Sequence, residues 1–179
     1  VNLVSELLDL AKIEAGTVGR EMAPLQLEEL LQEQDDFHRP AAEEKKIDMK
    51  LKYSQLPVIM ADKQGLEEVF TNLITNAIKY SPEGSSLLVS AEDSGDSISI
   101  QVSDTGYGIP EEDLAEIFTR FYRVKDKNTR EIHGTGLGLA IVKSIVEAHQ
   151  GSIRVESKLE RGTTFTIHLP KEIVKEETP

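Results

Sequence analysis

Between Glu68 and Tyr80 the side chains sort at helical period. Val69, Phe70, Leu73, Ile74 and Ala77 fall on one side, while Glu68, Asn72, Asn76 and Lys79 form a polar stripe on the other. Asp62, just ahead of this run, is the expected N-cap. Residues 26–46, rich in Leu, Glu, Gln and Lys, predict another helix, with Pro40 a kink or a break. Leu139–His149 predicts an apolar helix closed by Gly151, and 111–118 a short one. Apolar positions 3, 4, 7, 8, 10 and 11, followed by Gly16, read as the end of a helix too short to stand alone in water.

Period two governs other stretches. Ile47–Tyr53 predicts a strand with one wet face, Val58–Ala61 a short buried strand, and 18–24 a short edge strand ending at Pro24. Leu87–Ala91 and Ser97–Ser103, joined by Asp93-Ser-Gly-Asp96, predict a hairpin. Ser152–Ser157 and Thr163–Leu169, turning through Leu159-Glu-Arg-Gly162, predict a second. Turn chemistry fills 81–86, a glycine loop 104–110 and an irregular stretch 119–138; the charged tail after Pro170 is expected to fray. Helices mixed with antiparallel hairpins predict an α+β fold, one sheet covered on one face by helices.

At 179 residues the chain has room for one domain and a short appendage. It has no cysteine, which excludes disulfides, thiolate metal sites and thiol nucleophiles. A formal net charge of −12 argues against sequence-independent binding to nucleic acid or anionic lipid. No apolar run is long enough to cross a bilayer, and no signal-peptide pattern opens the chain. Because Val1 falls in mid-helix, the chain reads as a piece of a longer parent.

The polar stripe changes this bland picture. Asn is a mediocre helix former, about 0.6 kcal/mol poorer than Ala, yet two stand one turn apart ahead of a lysine. Amide oxygens ligate hard cations such as Mg²⁺, and amide and ammonium hydrogens bond phosphate oxygens. Asp104-Thr-Gly106-Tyr-Gly108-Ile-Pro110 leaves a strand with a carboxylate able to accept from an exocyclic amine; by itself it is equally a common turn. His133-Gly134-Thr-Gly136-Leu-Gly138-Leu139 runs into a helix, so its backbone N–H groups suit an anion. It is neither a dinucleotide fingerprint nor a P-loop, having Leu at 139 and no Gly-Lys pair. The segment 120–130 holds five cations against one acid, either a lid over a phosphate site or a solvated loop. His38, His133, His149 and His168 have no metal-binding spacing and read as surface or structural, and no nucleophile elbow is present.

Taken in order, these motifs resemble the ATP-binding catalytic domain of bacterial sensor histidine kinases, within the superfamily shared with gyrase B, Hsp90 and MutL. Asn72–Ser81 resembles the N box, Asp104–Pro110 the G1 box, Phe118-Thr-Arg-Phe121 the F box and Gly134–Leu139 the G2 box. The resemblance covers Gly16 to Pro170 and is nearest to respiratory- or phosphate-sensing kinases. It implies a Bergerat-type two-layer α/β sandwich, one mixed sheet packed on about three helices. Residues 1–16 are similar to the end of the dimerisation domain's second helix, leaving 17–170 as the catalytic domain and 171–179 as a tail.

What the resemblance implies about roles follows motif position. Asn76 would ligate Mg²⁺, Asn72 support the phosphates, Lys79 contact phosphate and Tyr80 the nucleoside. Asp104 would accept from the adenine amine, with Thr163 nearby through water. Gly106, Gly108 and Ile109 would shape the adenine pocket, and Gly134, Thr135, Gly136, Leu137, Gly138 and Leu139 the triphosphate cradle. Phe118 and Phe121 would anchor the lid, with Arg123 or Arg130 reaching the γ-phosphate. Where many family members have glycine this chain has His133, which bears on the lid hinge. Hydrolysing relatives carry a water-activating glutamate where Asn72 stands; an amide is no base, which favours a kinase over a GHKL-type ATPase or chaperone module. An anti-sigma-type serine kinase and a nucleotide-dead interaction module are further alternatives. No histidine here has the phosphoacceptor context, so the acceptor would come from the parent's dimerisation domain, with a response regulator as the next partner. The implied parent is a membrane-bound homodimer with a cytoplasmic catalytic domain; the piece itself reads as a monomer.

Overall fold

In the computed structural model, residues 21–124 and 134–171 are described. The expected helix over 1–15 with its Gly16 cap, Arg130, His133 and the tail beyond Lys171 lie outside the described residues. The elements in chain order are β1 (Ala23–Leu25), α1 (Leu27–Glu44), β2 (Asp48–Tyr53), β3 (Ile59–Ala61), α2 (Lys63–Lys79), β4 (Ser86–Asp93), β5 (Ser97–Asp104), α3 (Gly138–Ala148), β6 (Ser152–Lys158) and β7 (Gly162–Pro170). Five strands form one mixed sheet in the order β2-β4-β5-β7-β6, parallel only between β2 and β4. β1 and β3 form a separate antiparallel ribbon.

Strand alternation and register explain where the core lies. Residues directly opposite in neighbouring strands share a face. The rows Leu51–Val89–Val102–Phe165–Val155 and Ala91–Ile100–Ile167–Ile153 are apolar, and they face the three helices. The next row on that face is Met49–Leu87–Asp104–Thr163–Ser157. It begins apolar and ends in a carboxylate and two hydroxyls, so the core gives way to a polar pocket at that end of the sheet. The opposite face carries residues such as Ser90, Gln101, Thr166 and Arg154. This is the expected two-layer α+β sandwich.

α1 and α2 bury the leucine-rich and Val69/Phe70/Leu73/Ile74/Ala77 stripes read from the sequence, and Pro40 sits inside α1 without ending it. Four expectations need correction. Residues 111–118 form only a 3₁₀ turn over Glu111–Asp113 followed by further turns; eight residues are too few to offset the cost of nucleating a helix. Asp62 occupies the N-cap of α2, yet its side chain makes no capping bond; its backbone N–H instead donates to His149 Nε2 at 3.0 Å. The left-handed residue closing α3 is Gln150, φ 56°, rather than Gly151. Gly151 is required for another reason: a Cβ there would lie 2.6 Å from the His168 carbonyl oxygen. The edge strand also falls later than expected, at Ala23–Leu25, with Pro24 opposite Met60.

Candidate functional site

Asp104 ends β5 on the helix-covered face, opposite buried Leu87 on one side and Thr163 on the other. Gly106 N–H donates to its Oδ1 at 2.8 Å and Thr163 N–H at 3.3 Å. Both bonds land on Oδ1, leaving Oδ2 with no hydrogen-bond partner among the described residues. Burial pushes the Asp104 carboxyl up to about 6, against the downward pull of those two N–H groups. Beside it, Ser81 is 1% exposed, and its buried Oγ has no partner among the described residues. Gly106 leaves the space between them open: a Cβ there would lie 2.5 Å from the Tyr80 carbonyl oxygen, 2.7 Å from Ser81 Oγ and 2.8 Å from Asp104 Oδ1.

The rim of this pocket is tied together by Ser157, which the sequence motifs do not single out. Its hydroxyl accepts from Ile109 N–H at 2.8 Å, donates to the Gly162 carbonyl at 2.8 Å and lies 2.8 Å from Thr163 Oγ1. Gly108, at φ 71°, packs so closely on the Lys158 carbonyl that no side chain fits. One signal for Ser157 was available. In Ser-Ile-Arg-Val-Glu-Ser-Lys it continues the inward phase of Ile153 and Val155, a polar residue where an apolar one is due.

The α2 stripe faces the start of α3. Asn72 Nδ2 donates to the Glu68 carbonyl at 2.9 Å, and a Cβ on Gly138 would lie 2.5 Å from Asn72 Oδ1. Asn76 is half-buried one turn on, with no side-chain hydrogen bond among the described residues. Lys79 Nζ lies 3.1 Å from where a Gly134 Cβ would stand and 5.5 Å from the centre of the Tyr80 ring. Lys45, also absent from the motif reading, caps this end of α2 through bonds to the Ile78 and Lys79 carbonyls at 2.8 and 3.1 Å. The structure therefore brings Asn72, Lys79, Gly134 and Gly138 to one seam, with Tyr80 leading from it to Gly106 and Asp104.

The other predicted residues divide. Thr135 Oγ1 accepts from Leu137 N–H at 3.3 Å, forming the turn into α3. Leu137 has its side chain fully buried in the core, so it can offer a ligand backbone only, and Leu139 is half-buried. Gly136, at φ 76°, accepts from Phe121 N–H at 2.9 Å. Phe121 holds a left-handed φ of 63° and is 56% exposed, whereas Phe118 packs edge-on against Phe165. Arg123 is exposed, close enough to Tyr80 to draw its phenol down against the upward effect of burial. Among the described residues no cluster of three His, Asp or Glu side chains is placed to hold a metal. A hard cation could take oxygen donors from α2, which carries the side-chain amides of Asn72 and Asn76.

Residues 61–173 match the family profile described as histidine kinase-, DNA gyrase B-, and HSP90-like ATPase. The chain belongs to this ATPase family. It is 39% identical over 171 residues to the sensor protein SrrB of Staphylococcus aureus, covering 94% of this chain and 29% of that one. It therefore spans under a third of that relative's length. Among solved structures it is similar to full-length ShkA in complex with AMPPNP, with 31% identity, a TM-score of 0.82 and 94% and 35% of the two chains covered. It is also similar to the histidine kinase ThkA in complex with the response regulator protein TrrA, with 26% identity, a TM-score of 0.73 and coverage of 94% and 48%. The pocket at Asp104 and the seam between α2 and α3 both fall inside the matched family region.

Proposed function

We propose that this domain binds Mg·ATP and positions its γ-phosphoryl group for transfer to a histidine on the parent's dimerisation domain. The observation that carries the reading is the seam where an Asn–Asn–Lys stripe meets a glycine-built helix start, continuous with a pocket that ends at an unpartnered carboxylate oxygen. Purine fits that pocket: Asp104 Oδ2 is an open acceptor for an exocyclic amine, and the missing side chain at Gly106 leaves room for a ring. Triphosphate fits the seam, where the first N–H groups of α3 and the Lys79 ammonium offer donors and positive potential. Asn76 would hold the cation, with Asn72 Oδ1 beside the entering phosphates. Bound Mg²⁺ supplies neutralisation of the triphosphate charge, and ATP the phosphoryl group.

The chain's own residues would bind, orient and exclude water. Tyr80 lines the nucleoside, Ile109 and Gly108 close the pocket edge, and Arg123 would reach the terminal phosphate. Asn72 cannot deprotonate water, so bound ATP persists until a better nucleophile arrives. AMPPNP on ShkA and TrrA on ThkA support nucleotide binding and a response regulator as the parent's partner. The same reading takes residues 1–16 as the end of a dimerisation helix, and the parent as a membrane-bound homodimer with this domain in the cytoplasm.

Calorimetric titration with Mg·ATP tests the binding step. Wild type should bind, while Asn76→Ala and Asp104→Ala lose most affinity and remain folded by circular dichroism; unchanged affinity in either removes that site assignment. Adding a histidine-bearing dimerisation fragment should then yield acid-labile phosphate. Steady ATP hydrolysis by the domain alone would favour the ATPase alternative.

A further inference from the structure

Ser157 sits at the crossing of three hydrogen bonds whose directions constrain one another. The Gly162 carbonyl can only accept, so the single Ser157 proton is directed there. Ile109 N–H can only donate, and it occupies one Ser157 lone pair. The remaining partner is Thr163 Oγ1 at 2.8 Å, and the remaining capacity of Ser157 is one lone pair. All three bonds form together only when Thr163 donates its proton to Ser157. Thr163 Oγ1 is then left with lone pairs alone, beside Asp104 Oδ1, which accepts the Thr163 backbone N–H at 3.3 Å.

We infer that Ser157 is a specificity-determining positioning residue that fixes the Thr163 hydroxyl as an acceptor toward the pocket and so selects purines bearing an amine at position 6. The inference rests on the nucleotide reading above and adds a residue to it. Two adjacent groups would then present only acceptors to the ring, the Asp104 carboxylate and the Thr163 hydroxyl. Adenine, with its amine, satisfies both. A purine with a carbonyl at that position meets lone pairs with lone pairs. Without Ser157 the Thr163 hydroxyl is free to turn and donate to such a carbonyl, so discrimination relaxes although Asp104 is unchanged.

The test compares Mg·ATP with Mg·ITP, which differ at the 6-position and its neighbouring ring nitrogen. Affinities are measured by calorimetry for wild type, Ser157→Ala, Ser157→Thr, Thr163→Val and the Ser157→Ala/Thr163→Val double variant. Loosening of the Ile109 loop lowers affinity for both nucleotides alike; the ratio isolates the hydroxyl's direction. Ser157→Ala should narrow the ATP preference about three- to tenfold, the range of one neutral hydrogen bond. Ser157→Thr, which keeps the hydroxyl, should retain the wild-type ratio. In the Thr163→Val background Ser157→Ala should produce no further narrowing. A ratio in Ser157→Ala within twofold of wild type overturns the inference, and so does an equal narrowing in the Thr163→Val background. Should Ser157→Ala fail to fold, loss of the wild-type ratio in Ser157→Thr, or an unchanged ratio in Thr163→Val, overturns it instead. If wild type binds neither nucleotide, the nucleotide reading itself fails and this inference falls with it.

Discussion

Replacing Asp104 by Asn should stabilise the ligand-free domain while damaging its site. Burial raises the Asp104 carboxyl to about 6 from an ordinary 3.8. An acid raised in the folded state contributes stability while protonated; that contribution is complete below about pH 3.8 and is lost as the pH rises through about 6. At 1.36 kcal/mol per pKa unit the gap corresponds to about 3 kcal/mol, an upper bound that solvent at the pocket mouth reduces to about 1–3 kcal/mol. Asn cannot ionise, and its Oδ1 can keep the bonds from Gly106 and Thr163. Thermal unfolding at pH 7.5 should therefore show Asp104→Asn melting about 3–10 °C above wild type, with the difference vanishing near pH 4. The price is paid in recognition: Nδ2 takes the place of Oδ2 and points a donor at the purine amine, lowering Mg·ATP affinity about 10- to 100-fold. A variant no more stable than wild type at pH 7.5, or a gap that does not change with pH, refutes the argument.

Gly138→Ala separates folding from binding in a second way. Gly138 opens α3 without a left-handed backbone, so Ala there should gain about 0.4–1 kcal/mol by restricting the unfolded chain, and because the intruding Cβ meets only the tip of Asn72 the melting point should hold or rise. Displacing Asn72 Oδ1 should still lower Mg·ATP affinity at least tenfold by calorimetry. Lys45→Met removes the cap on the last turn of α2 and should lower stability by about 1 kcal/mol in urea unfolding, with Lys45→Arg restoring most of it. Leu137→Ala acts on the core rather than on the ligand: its side chain is fully buried, and truncation should lower stability by about 2–5 kcal/mol in the same assay.

Most of the fold was legible because the chain's local patterns agree with its tertiary layers. The two hairpins follow from alternation and turn residues, and α1, α2 and α3 follow from apolar stripes. The parallel pairing of β2 with β4 was not legible, since a crossover through α2 leaves no mark on either strand's alternation. Nor was the separation of β1 and β3 into their own ribbon, because three-residue strands carry too little pattern to name a partner. At the site, the motif residues Asn72, Lys79, Asp104, Gly106 and Gly138 were visible because their chemistry is odd for their position. Lys45 was not singled out because a lysine at a helix end is ordinary until packing shows what it touches, and Ser157 broke the inward apolar phase of its strand without any sign of what its hydroxyl would bind.

The most direct measurement is a crystal structure of the domain with Mg²⁺ and a non-hydrolysable ATP analogue. The adenine amine should lie within hydrogen-bond distance of Asp104 Oδ2, the triphosphate between the α2 stripe and the first turn of α3, and the cation on the Asn76 amide oxygen. An analogue bound elsewhere, with Asn72, Asn76 and Asp104 all out of reach of it, would contradict the account at its centre.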